Sequence, residues 1–349
     1  MRVSLSSPVI AQDLARVVGH LDCVDDLAGK HLLITGSTGF FGKWLLALVA
    51  LLNANGAGIR VTAMSRSPEA FLANYPEYGQ TGWLGWLKGD VQSPFNLPGQ
   101  YPLDLIVHAA TDTLAGAHAD PLSIFDTIMN GARNVLDAAV RTGAKRVLFT
   151  GTGAQYGSLQ YGRPVLESST GACNSGLVSS AYAEAKRAQE TLAALYAERH
   201  AIDVVLTRCF AFSGPGLALD AHFAIGNFVR DALFHDELVL QSSGQAVRSY
   251  LHGADLAIWL LTLLVRGEAG QAYNVGSDNA VSIVELARTV MACIAPEKTV
   301  KVLGQNGDPK TQSYYVPDIH KARELGLDDW TSLDDSIASM ALWVREHQR

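Results

Sequence analysis

Three glycines spaced three apart, Gly36, Gly39 and Gly42, lie in the turn Thr35-Gly36-Ser37-Thr38-Gly39-Phe40-Phe41-Gly42, between the apolar run from His31 to Thr35 and a helical run that starts at once. Few architectures place a glycine-rich turn directly between a strand and a helix. Gly36 permits the tight turn, Gly39 lets the backbone approach a pyrophosphate, and Gly42 lets helix and strand pack closely. The start of the helix adds unpaired N–H groups and the positive end of its dipole. The turn is suited to cradling a dinucleotide.

Beyond it, apolar β-type runs alternate with helical stretches, the pattern of a parallel sheet with crossover helices. Strands are predicted at 31–35, 60–65, 104–110, 146–151 and 203–210, and helices at 41–53, 121–141, 181–199, 221–235, 254–266 and 282–293. The fold class expected is α/β, a Rossmann-type doubly wound parallel sheet with a smaller C-terminal substrate-binding lobe that closes over the carboxyl ends of the strands. Residues 30–215 are read as the dinucleotide-binding domain. Residues 216–349 are read mainly as the substrate lobe, with 244–276 returning to the first domain. Residues 1–29 form an N-terminal extension in which Ile10, Leu14, Val17, Val18 and Leu21 recur at helical spacing.

Composition excludes several classes. The 349 residues are 48% hydrophobic, enough for a large core. Only 17% are charged and the net charge is -7, so no basic stripe is available to displace counterions from nucleic acid. Cys23, Cys173, Cys209 and Cys293 form no CxxC pair, so neither a disulfide framework nor a metal site is expected, and a reducing cytoplasm fits best. Asp13, Asp22, Asp25 and Asp26 argue against a signal peptide. The apolar runs from Trp44 to Leu52 and from Leu256 to Val265 are about half a membrane span, so no membrane association is expected.

Tyr182 and Lys186 stand four apart in a helical run, which puts both on one face. An ammonium beside a phenol favours the phenolate and would bring its pKa, ordinarily ~10, toward working pH as a general acid/base. Ahead of this pair, the fifth-strand end reads Phe149-Thr150-Gly151-Thr152-Gly153-Ala154-Gln155-Tyr156-Gly157. The end of the second strand, Met64-Ser65-Arg66, has no acid and carries an arginine able to pair with phosphate.

In this order, these segments resemble the extended short-chain dehydrogenases/reductases, in their nucleotide-sugar epimerase and dehydratase branch. The turn is similar to TGxxGFxG and the segment 149–157 to SSSxxVYG. The run from Arg208 to Pro215 is similar to RxxNxxGP, and that from Gly244 to Asp255 to GxxxRxxxxVxD. Tyr273-Asn274-Val275-Gly276 is a further landmark, and the likeness runs from about residue 30 to the C-terminus.

The resemblance implies Thr152, Tyr182 and Lys186 as catalytic residues, with Thr150 the alternative if the register slips. It implies NADP or NAD as cofactor, held by Gly36, Thr38, Gly39, Phe40, Phe41, Gly42, Ser65, Arg66, Asp90, Val91, Ala109, Ala110, Thr111, Tyr182 and Lys186. Arg66 tilts the choice toward NADP. Asp90 has an alternative reading as a turn residue, and His108 is read as structural. The implied partner is a nucleotide sugar, held by Thr152, Asn227 and Arg248, with Arg248 on the pyrophosphate; an ion pair with Asp255 is the alternative for that arginine. A homodimer through the helices at 121–141 and 181–199 is also implied. Departures from the family pattern leave the sugar open: Ala211 replaces a common asparagine, Ile128 another, and the loop 158–180 carries an unusual stretch around Cys173.

The leading expectation is an epimerase acting by transient oxidation of a sugar hydroxyl. Alternatives are an NADPH-dependent reductase of a 4-keto-deoxysugar, a 4,6-dehydratase, and a non-catalytic cofactor-binding protein. Related dehydratases place Asp and Glu immediately after the catalytic threonine, where this chain has Gly153 and Ala154, neither able to carry a proton. Dehydration would need a substitute such as Glu167 or Cys173.

Overall fold

The computed structural model describes residues 7–97, 102–111, 120–221, 223–305 and 313–347. Seven parallel strands form the central sheet. In chain order they begin with β1 (His31–Thr35), β2 (Arg60–Ser65), β3 (Leu84–Lys88), β4 (Leu105–His108), β5 (Arg146–Thr152) and β6 (Asp203–Cys209). The spatial order is β3-β2-β1-β4-β5-β6, followed by an edge strand Ala272–Val275 beside β6. The order reverses between β1 and β4, which opens a crevice at the carboxyl ends of those strands.

Both faces are covered, which is why β1 is buried at every position. The helices are α1 (Pro8–Val17), α2 (Val24–Leu27), α3 (Phe40–Ala54), α4 (Pro68–Asn74), α5 (Pro121–Thr142), α6 (Ala181–His200), α7 (Ala224–Phe234), α8 (Gly253–Arg266) and α9 (Ile283–Ile294), with a C-terminal helix Leu333–Glu346. On one face α3 and α8 pack together, and residues 44–49 of α3 are all fully buried. On the other face α5 and α6 lie side by side over β4 and β5. Asp120 caps α5 by accepting from Ser123 N at 3.1 Å, and Gly143 ends it in the left-handed region at φ 75°.

The N-terminal amphipathic helix is present as α1, with Val9, Ile10, Leu14 and Val17 buried. Its Asp13 is buried beside Ser339 and lies 3.4 Å from His252 Nε2, tying the extension to α8 and the C-terminal helix. The strand read as 104–110 stops at His108, because Ala109 and Ala110 leave the sheet to pass over Gly36. β3 was not anticipated: its Leu-Gly-Trp-Leu-Lys sequence is an edge strand with an interior glycine and a charged end. Past β6 the chain builds small sheets. One pairs Val281–Ser282, Val247–Arg248 and Tyr314–Tyr315, and another pairs Glu237–Leu240 with Thr299–Val302. Among the described residues no helix is long and apolar enough to cross a membrane.

Candidate active site

The glycine turn has the geometry its sequence demands. Gly36 adopts φ 70°, and a Cβ there would stand 2.5 Å from Ala109 O. A Cβ at Gly42 would stand 2.3 Å from Ser37 Cα. Gly39 is the N-cap of α3, and Phe40 and Phe41 open the helix, with Phe41 edge-on to Phe212 at 4.9 Å. Ser37, unremarked in the sequence, is fully buried and donates to Met64 O at 3.0 Å, fastening the turn to β2. This backbone cradle, kept open by missing Cβ atoms at the N-terminus of a 15-residue helix, fits the diphosphate of a dinucleotide.

The other cofactor candidates line the same crevice edge. Thr38 lies in the turn and Ser65 and Arg66 follow at the end of β2, where Ser65 Oγ accepts from Ser67 N at 3.2 Å. Asp90 takes the turn role: its Oδ1 accepts from Gln92 N at 2.9 Å. Val91 is buried, and its carbonyl accepts from Asn134 Nδ2 at 2.8 Å. Ala109, Ala110 and Thr111 leave β4, with Thr111 Oγ1 donating to Ala110 O at 2.9 Å. Residues 112–119 lie outside those described.

His108, at the end of β4, is 1% exposed. Burial pushes its pKa down to about 3, and its Nδ1 is 2.7 Å from Thr35 Oγ1.

At the end of β5 the two threonines separate in role. Thr150 Oγ1 donates to His108 O at 3.1 Å, and Thr150 O accepts from Lys186 Nζ at 2.7 Å. The Thr152 hydroxyl instead meets the Tyr182 phenol. Helix α6 therefore sets Tyr182 against Thr152 and Lys186 against the β5 backbone one turn later. Lys186 is 2% exposed, and burial draws its pKa down to about 8.

Tyr182 behaves otherwise than its spacing suggested. Burial raises its phenol to about 12, with the Thr152 bond pulling the other way and no opposing contribution from Lys186. The reason is directional: the Lys186 ammonium is turned onto Thr150 O and, at 3.4 Å, Gln189 Oε1.

Behind the threonine stands a support that the sequence reading missed. Gln155 Oε1 accepts from Thr152 N at 2.9 Å, and its Nε2 donates to Glu190 Oε1 at 2.8 Å. Glu190 in turn pairs with Arg208 through Nε at 3.0 Å and a terminal nitrogen at 2.9 Å. The Thr152-to-Gln155 spacing is a capping box, a legible signal, and Glu190 continues the four-residue spacing of Tyr182 and Lys186.

The two other residues expected at the substrate are both engaged in the fold. Arg248 makes no ion pair with Asp255, whose carboxylate takes Thr331 N at 2.9 Å and Thr331 Oγ1 at 2.7 Å. The Arg248 guanidinium lies 5.7 Å over the Tyr315 ring and donates to Val247 O at 2.7 Å. Asn227 is engaged within its own segment, donating to Ala221 O at 2.9 Å and accepting from Arg230 at 3.4 Å. The two candidate stand-ins for dehydration are both hydrogen-bonded. Glu167 Oε1 accepts from Asn274 N at 2.8 Å, and Cys173 Sγ donates to Ala154 O at 3.2 Å, with burial raising the thiol pKa.

The chain is 29% identical over 320 residues to UDP-glucuronic acid decarboxylase 6 of Arabidopsis thaliana, covering 90% of this chain and 88% of that one. Among solved structures it is similar to a dTDP-glucose 4,6-dehydratase from Streptomyces venezuelae with NAD bound (TM-score 0.74, 25% identity, 91% of this chain and 98% of that one). It is also similar to the UDP-glucose 4-epimerase of Thermotoga maritima (TM-score 0.75, 18% identity, 91% and 100%). The family model for the NAD dependent epimerase/dehydratase family matches residues 32–276, and the chain, an enzyme of the extended short-chain dehydrogenase/reductase type, belongs to that family.

Proposed function

We propose that the protein is a nucleotide-sugar epimerase that oxidises a sugar hydroxyl and re-reduces the ketone from the other face. The observation that carries this reading is the chemistry beside Thr152: hydroxyls of Thr152 and Tyr182 meet, and Gly153 and Ala154 follow with no proton-carrying side chain. Tyr182 takes the proton of the bound sugar hydroxyl while Thr152 hydrogen-bonds the same oxygen, and Tyr182 returns the proton after the keto-sugar has rotated. Lys186, buried and charged below pH ~8 and turned away from the phenol, would bond the cofactor ribose. When bound, the dinucleotide supplies a hydride acceptor that is positively charged in its oxidised form. Gly36, Gly39 and Gly42 would hold its diphosphate, Ser65 and Arg66 its adenosine ribose, with NADP favoured over NAD by Arg66. Arg248 would grip the substrate pyrophosphate, and the enzyme would work as a cytoplasmic homodimer.

A second reading is decarboxylation, favoured by the likeness to UDP-glucuronic acid decarboxylase. It starts with the same oxidation, since a ketone β to a carboxylate suffices to release carbon dioxide. The test is incubation with UDP- and dTDP-hexoses and with UDP-glucuronate, without added reductant. An epimer of unchanged mass is expected; loss of carbon dioxide would favour the second reading, and loss of water would refute both.

A further inference from the structure

Tyr315 stands on the short strand Tyr314–Tyr315, directly opposite Arg248 in the pairing with Val247–Arg248. Its ring lies 4.6 Å from that of Phe210. Its hydroxyl reaches the end of β5, 3.5 Å from Thr152 Oγ1, and donates to Cys209 O at 3.4 Å. These separations are longer than the ~2.7 Å of a tight O–H···O bond, as catalytic contacts often are before substrate draws them in.

The donors and acceptors close without a remainder. Tyr315 shares its proton between Cys209 O and Thr152 Oγ1. Thr152 takes Ala154 N–H on its other lone pair at 3.2 Å. Its own proton is thereby left for the Tyr182 phenol and the sugar oxygen beside it.

We propose that Tyr315 is a positioning residue of the reaction site, which fixes the Thr152 hydroxyl toward Tyr182 and fills the space that a side chain at position 153 would need. The steric half follows from Gly153, where a Cβ would stand 2.8 Å from the Tyr315 hydroxyl and 2.7 Å from Phe210 Cζ. An acidic residue there would have to displace the Tyr315 hydroxyl and the edge of the Phe210 ring. Tyr315 thereby disfavours a proton-carrying side chain at position 153. As the register partner of Arg248, it also links the seating of a substrate phosphate to the orientation of Thr152. The inference rests on the reading of Thr152 and Tyr182 as the groups that handle the substrate hydroxyl.

Tyr315→Phe keeps the ring on Phe210 and removes the hydroxyl alone. Turnover should fall by about three- to tenfold, the worth of one orienting hydrogen bond, with KM and cofactor affinity changed less than about twofold. Turnover within error of the parent overturns the proposal. A second readout needs no substrate: NMR of the full chain with Cζ-labelled tyrosine, the Tyr182 resonance being assigned by its loss in Tyr182→Phe. That resonance should move in Thr152→Val and also in Tyr315→Phe. Movement in Thr152→Val alone would show that Tyr315 does not orient the pair. If Tyr182→Phe itself retained turnover, the catalytic reading would fall and Tyr315's part in the reaction with it, a signature separate from a silent Tyr315.

Discussion

Replacing Gly36 with alanine tests the cofactor cradle at its tightest point. Two costs are imposed. A left-handed non-glycine residue costs ~1–2 kcal/mol, and the native φ is 70°. The new Cβ would also lie 2.5 Å from Ala109 O and 2.8 Å from Ala110 N, both backbone atoms, so β1 and β4 must part by nearly an ångström at their carboxyl ends. Such overpacking adds about 1–3 kcal/mol. Gly58→Ala is the internal control, because Gly58 has φ 64° with nothing within 4 Å and incurs the conformational cost alone. With an unfolding entropy of ~2.1 cal/mol/K per residue, each kcal/mol moves Tm by about 1.4 °C in a chain of this length. Thermal unfolding should then show losses of about 3–7 °C for Gly36→Ala and about 1–3 °C for Gly58→Ala. Titration with NADPH and NADH, read by cofactor fluorescence, should show affinity weakened at least ~10-fold only in Gly36→Ala. Equal Tm losses together with unchanged affinity would refute the assignment of this turn to the dinucleotide.

Arg66→Ala should weaken NADP(H) much more than NAD(H) if the arginine meets a 2′-phosphate, and equal losses in the same titration would remove it from cofactor selection. Lys186 titrates at about 8 in the folded chain against an ordinary 10.5, so between these values the unfolded chain binds more protons and stability rises with pH. The urea midpoint of the cofactor-free parent should therefore climb through that window relative to Lys186→Met, and parallel curves would contradict the buried ammonium. Leu122 on α5 and Leu195 on α6 are 70% and 59% exposed, and sedimentation at micromolar concentration should find a dimer joined through these helices; monomer alone would reject it.

Local signals made most of the fold legible. Five strands and six helices follow from hydrophobic period and glycine punctuation, because each is buried on a face that its own sequence advertises. β3 escaped because an edge strand alternates weakly and Gly85 interrupts it. The candidate site divides in the same way. The glycine turn, Thr152, Tyr182 and Lys186 lie on contiguous segments whose spacing carries the geometry. The Gln155–Glu190–Arg208 support was written partly in a capping box, whereas Tyr315 joins Thr152 across 163 residues by a pairing of two-residue strands that no local pattern announces. The Tyr182 phenol is likewise set by where Lys186 points, and spacing fixes a face of a helix without fixing a rotamer.

The central claim is that one hydride leaves a sugar carbon and returns to it. It is tested most directly with a nucleotide hexose carrying deuterium at the oxidised carbinol carbon, the product being analysed after reaction without added cofactor. The epimer should retain its deuterium at that carbon, with no solvent hydrogen taken up elsewhere on the ring. Loss of the label with stoichiometric consumption of added NADPH, or uptake of solvent hydrogen at the neighbouring carbon, would contradict it.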